Sequence, residues 1–211
     1  MPNPAVISGS TELVASLAEV KRHARVIGNA SDEVLTGYIK AATERIETVT
    51  ARRFLFGSLR LTLDSFYDAR YSRCGMIEPP VAPVRGVTTI EYIASGGSTY
   101  STLSSTAYRV DTSREPARIK PVYGGSWPTT QPVDGAVRIT FAAGFGSSTE
   151  AARNYVPYRA RVAIGQLAAH WHENREAINV GNLVAKVPLA VDSLVESLKW
   201  ERYVAPAGGD E

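Results

Sequence analysis

His170 and His172 stand two residues apart in the stretch Ala168-Ala-His-Trp-His-Glu-Asn-Arg-Glu176, beside two glutamates, an asparagine and an arginine. Side chains of these types can ligate a metal, move a proton or finish the polar end of a packing helix. Spacing decides among the three. On a helix each residue advances about 100°, so histidines two apart face nearly opposite ways and cannot share an ion. The zinc-protease pattern is His-Glu-x-x-His, with both histidines on one face; here His172-Glu-Asn-Arg-Glu176 places a glutamate where the second histidine must be. Cys74, the single cysteine, and the distant His23 complete no ligand set. No metal and no other cofactor is expected. Trp171 continues an apolar stripe that the polar residues terminate, and an aromatic near an arginine is the composition of an interface anchor. The stretch reads as packing and contact.

Other candidates for chemistry fail on the same grounds. Gly144-Phe-Gly146 and Tyr123-Gly-Gly-Ser126 lack the Lys-Ser/Thr of a phosphate loop. There is no Gly-x-Ser-x-Gly, and Cys74 has no histidine near it in sequence. Asp64 and Asp68 flank Phe66-Tyr67 at a strand end and read as a solvated loop, while Trp127-Pro128 reads as a loop anchor. No set of nucleophile, base and orienting group can be assembled, so an enzyme is not expected.

Charge narrows the field further. The net charge is +2, from 23 basic and 21 acidic residues. The balance is even along the chain: residues 1–54 carry 7 basic against 6 acidic, and residues 151–211 carry 7 against 7. Nucleic-acid binding as the primary task is therefore disfavoured, with a folded basic patch the one way such charge could concentrate. No apolar run approaches the roughly 20 residues of a membrane span. The start, MPNPAVISGSTELVAS, does not read as a signal peptide, and a lone cysteine fits a reducing compartment.

The elements that must position these residues follow from periodicity. Residues 1–15 show no period and read as a flexible N-terminal arm. Ser16-Leu-Ala-Glu19 is a capping box that opens a short helix to about Val26, ended by Gly28. Ser31-Asp-Glu33 opens a second helix, with Val34, Leu35, Tyr38, Ile39, Ala42, Ile46 and Val49 as its core stripe. After Gly57 the period changes to two, in Leu59–Leu63 and Val137–Phe141. Val87–Ile93, a Ser95-Gly-Gly-Ser98 turn before Tyr100, Tyr108–Val110 and Arg118–Ile119 supply further short strands. Helical period returns with Val156, Ala160, Ala163, Ile164, Leu167, Ala168 and Trp171, and Pro188 opens a last helix carrying Val191, Leu194, Val195 and Leu198. The fold class expected is α+β: a helical bundle of about four helices (16–56 and 150–200) with an inserted small antiparallel β unit (57–149) and a flexible C-terminal tail (201–211).

Three stretches together resemble the head–tail connector (adaptor) family of tailed bacteriophages and gene transfer agents. They are Ser16–Val26 with Ser31–Leu35 and Ala41–Phe54; Tyr108–Asp111 through Pro116–Ile119 and Trp127-Pro128 to Val137–Gly146; and Ala168–Glu176 with Val187-Pro-Leu189 and the last helix. The resemblance implies a structural protein of the virion neck, assembled in the bacterial host cytoplasm. Such a protein forms a ring with itself, commonly of 12 copies. It joins the portal protein to a stopper or tail-completion protein and gives transient, non-specific contact to double-stranded DNA in the channel, with no membrane partner. The alternatives are another neck-ring protein, such as the stopper or tail-completion protein itself, or a DNA-binding module. A head-to-tail ring needs two different complementary surfaces per subunit; the expectation is that the helices give one and the β insertion the other. Candidate contact residues are Trp171, His172, Asn174, Arg175, Trp200, Arg202 and Tyr203.

Overall fold

A computed structural model describes residues 4–146, 152–174 and 189–199. Strand β1 (Ala5–Gly9) precedes α1 (Leu17–His23) and α2 (Asp32–Thr50). The β region runs through β2 (Gly57–Leu63), β3 (Ser72–Arg73), β4 (Met76–Ile77), β5 (Val84–Ile93), β6 (Tyr100–Thr102), β7 (Tyr108–Asp111), β8 (Arg118–Pro121) and β9 (Val137–Ala143). Helices α3 (Ala152–Tyr155), α4 (Tyr158–Glu173) and α5 (Leu189–Glu196) follow. The chain is thus α+β, with mixed helices and antiparallel sheets.

The helices share one core. Val20 of α1, Leu35, Ile39, Ala42 and Ile46 of α2, and Ala160, Ala163, Ile164, Leu167 and Ala168 of α4 are all buried, joined by Val191 and Leu198 at the α5 end. The three- and four-residue steps of the sequence put these side chains on facing stripes. Val34 and Val49, expected in the α2 stripe, lie on its outer edge and are exposed; Thr50 takes the last inner position and donates its hydroxyl to the Ile46 carbonyl at 2.6 Å. Ser16 and Glu19 form the expected capping box at α1. Ser31, by contrast, makes no side-chain cap bond at α2. Helix α1 also ends earlier than Gly28: Arg25 takes the left-handed conformation (φ 51°) and Val26 N–H donates to the Lys21 carbonyl at 3.0 Å, a Schellman-type stop built without glycine.

The β region forms two sheets that share one core. A five-stranded sheet has the order β1-β2-β9-β5-β6, and a smaller one has β3-β4-β8-β7. Alternation in β2 sends Leu59, Leu61 and Leu63 inward, against Ile139 and Phe141 of β9 and Ile90 of β5. The β3–β4 hairpin turns on Cys74-Gly75, both with positive φ (49° and 76°), which suits a two-residue primed turn.

The first residues are not a loose arm throughout. Residues 5–9 pair antiparallel with β2, and Val14 and Ala15 are buried in the helical core. The strand escapes sequence reading because both of its faces are exposed, leaving no alternation to detect. Its close approach depends on Gly57, where a Cβ would stand 2.7 Å from the Ser8 carbonyl oxygen. Gly57→Ala should displace β1 and cost about 1–2 kcal/mol; faster amide exchange at residues 5–9 with the rest of β2 still protected is the expected result.

Candidate assembly surfaces

The end of α4 is built as a helix terminus. Asn174 donates its backbone N–H (3.0 Å) and its side-chain Nδ2 (2.9 Å) to the His170 carbonyl, closing the last turn. Trp171 meets Tyr38 of α2 edge to face, with ring centroids 6.3 Å apart, and is half-buried at the rim of the core. Full burial would set the cost of Trp171→Ala at about 3–5 kcal/mol; at this rim position we expect about 2 kcal/mol, read as a shift in chemical-denaturation midpoint. Among the described residues no group of His, Cys, Asp and Glu could hold a metal ion, and none of the described helices is long and apolar enough to cross a membrane. Arg175, Trp200, Arg202 and Tyr203 lie outside the described residues.

Other residues singled out by type resolve into structural roles. Arg70 bridges Asp64 and Asp68 (3.0 and 2.5 Å), and its hydrogen bond holds the Asp68 carboxyl below the usual range. Trp127 stacks on Phe66 with centroids 4.7 Å apart and donates its indole N–H to the Gly75 carbonyl at 2.7 Å. Gly144 and Phe145 join the sheet to the helices: Phe145 stacks on Phe54 and Gly144 N–H donates to the Pro83 carbonyl.

Arg52, just past α2, is a junction that sequence spacing does not reveal. Its Nε donates to the Leu198 carbonyl at 2.6 Å, and its two terminal nitrogens grip Glu115 of the β region at 3.1 and 2.7 Å. A cation at the end of α5 complements the helix dipole. One side chain therefore ties α2, the last turn before the C-terminal segment, and the β region together.

A groove of about 480 Å³ opens between α1 and the first half of α4, lined by Glu19, Arg22, His23, Tyr158, Arg161, Val162 and Gly165. His23 lies across α4 at Gly165, its ring 3.6 Å from where a Cβ would be, an ordinary van der Waals distance. Arg161 pairs with Glu19 and sits over the Tyr158 ring, 5.1 Å from its centroid. Burial pushes the Glu19 carboxyl up, but hydrogen bonds from the Ser16 amide and hydroxyl, with Arg161 alongside, outweigh it and hold the carboxyl below its ordinary value. Glu19 therefore stabilises the fold fully above the unfolded carboxyl value of about 4.3, and this stabilisation is lost as pH falls through its lower folded value. Glu19→Gln should flatten the acid limb of the stability profile, measured as thermal midpoint against pH.

Residues 14–82 match the model of the phage gp6-like head–tail connector protein family. No curated protein sequence matches the chain. Among solved structures, a chain from the neck of an empty gene transfer agent (GTA) particle computed with C6 symmetry is 27% identical, with a TM-score of 0.69. A chain from the virion of a native GTA particle is 26% identical with a TM-score of 0.70, and one from the neck of a native GTA particle computed with C12 symmetry is 26% identical with a TM-score of 0.63. Each similarity covers 94% of this chain and 98% of the other.

Proposed function

We propose that this chain is a structural head–tail connector of a tailed particle, located in the virion neck. The observation that carries this reading is the end-to-end likeness to neck and virion chains of GTA particles, 98% of whose length is covered, together with the connector-family match over α1, α2 and strands β2 to β4. The helical core is the connector bundle and the β region its insertion. The subunits close into a ring of 12, a number supported by likeness to neck chains solved under C6 and C12 symmetry. In that ring the chain joins the portal above to a stopper or tail-completion protein below, surrounds the DNA channel and does no catalysis.

The α4 terminus with Trp171, His172, Asn174 and Arg175, and the last segment with Trp200, Arg202 and Tyr203, serve as contact residues. Arg52 fixes the point from which that last segment departs. Deleting residues 201–211 should weaken joining to the portal and spare the fold, since Leu198 is the last described residue in the helical core. Cross-linking mass spectrometry of isolated necks tests the arrangement: cross-links from this chain to itself and to the portal are expected. Their absence from necks that contain the chain would contradict it.

A further inference from the structure

We propose that the groove between α1 and α4, with its arginine rim, is the surface that meets the phosphate backbone of double-stranded DNA. This rests on the connector reading and deepens it, by giving the channel contact to particular residues. The chain's near-zero net charge conceals the feature. Residues 20–30 hold Lys21, Arg22 and Arg25 with no carboxylate, and residues 152–161 hold Arg153, Arg159 and Arg161 with none either. Folding brings these two distant stretches to one place, because Arg22, His23, Tyr158 and Arg161 line the same groove.

Two carboxylates answer the six cations: Glu19 pairs with Arg161, and Asp32 with Lys21. Arg22, Arg25 and Arg159 are exposed and form no ion pair with a described residue. The Arg161–Glu19 pair holds the groove wall in shape, while the other guanidinium groups remain available to an anion. Tyr158 and Tyr155 are 71% and 64% exposed and add hydroxyl donors beside the arginines.

These groups suit phosphate more than bases. A guanidinium presents a fork of donors that fits a phosphate, and arginine, tyrosine and backbone donors are the usual phosphate contacts that position DNA without reading it. The site is a concave groove between two helices, a shape that suits the outer backbone of the duplex rather than entry into its grooves. Attraction by counterion release is independent of sequence and permits sliding, as a channel that passes DNA lengthwise requires. The arrangement also places a distinct task on the bundle, where sequence alone suggested only a ring contact.

The test is titration of the full-length protein with a short blunt DNA duplex over about 50–200 mM salt, the range in which phosphate contacts weaken steeply. The variant is Arg22→Gln/Arg25→Gln/Arg159→Gln, none of whose residues holds an ion pair with a described residue. At three lost phosphate contacts, the slope of log affinity against log salt should shrink by about 2.7, and affinity at the low-salt end should fall at least about tenfold. Arg109→Gln/Lys120→Gln, an exposed cross-strand pair on β7 and β8, removes charge elsewhere and should leave both quantities nearly unchanged. Equal losses in the two variants, or none in the first, overturn the assignment. So does a triple variant that binds DNA normally but leaves portals unjoined, which would give the face to an acidic protein surface. Failure to find the chain in necks would remove the connector reading itself, a result independent of the titration.

Discussion

Gly144→Ala should lower stability by about 3–4 kcal/mol, one of the two largest effects expected of a single substitution here. Two independent causes combine. The glycine has φ 113°, a conformation closed to a residue with a Cβ. The added methyl would also stand 2.5 Å from the Leu55 carbonyl oxygen and 2.7 Å from the Phe56 Cα, which are backbone atoms unable to swing aside. Relief requires moving the chain, and the chain is tied on both sides: Gly144 N–H donates to the Pro83 carbonyl at 2.9 Å, and its own carbonyl accepts from Arg85 Nε at 2.8 Å. This point joins the large sheet to the helical core, so damage should spread to both. For a chain of this size the loss corresponds to a drop of roughly 10 °C in thermal midpoint. A midpoint within a degree or two of the parent would show that the junction tolerates rearrangement.

Trp127→Ala is the second, with an expected cost of about 3–5 kcal/mol. The indole is 5% exposed, lies parallel to Phe66 and packs in the core between the two sheets. Truncation removes the stacked face and leaves the Gly75 carbonyl without its donor. Gly75 follows Cys74 in the β3–β4 turn, so the small sheet should loosen first. The observable is labelling of the exposed Cys74 thiol: the variant should change its rate, whereas Trp127→Phe, which keeps most of the stacking, should restore stability in large part. Equal stability of the alanine and parent proteins would assign the tryptophan a different role.

How much was legible in the sequence follows from which interactions are local. The Ser16–Glu19 capping box spans four residues, and both of its reciprocal bonds form, at 2.8 and 3.2 Å. The stripes of α2 and α4 and the alternation of β2 and β9 are likewise written in neighbouring positions. Strand β1 was not legible, because its partner lies some fifty residues away and neither of its faces is buried. The split into two sheets depends on which strands pair, and short strands interrupted by prolines carry little information about that. The surfaces were harder still. Arg52 reaches Leu198 across 146 positions and Arg161 reaches Glu19 across 142. Charge is balanced over long segments, and that balance conceals the carboxylate-free runs at residues 20–30 and 152–161. Angular spacing, the glutamate at position 176 and the lack of further ligands all argue in the sequence against a metal at His170 and His172, and the structure gives the His170 carbonyl a capping role at the helix end.

Loss of the gene tests the central claim most directly. Electron microscopy of particles from a strain lacking it should show DNA-filled or leaking heads beside unattached tails, with no joined particles. Tailed particles of normal form and number would contradict a connector role.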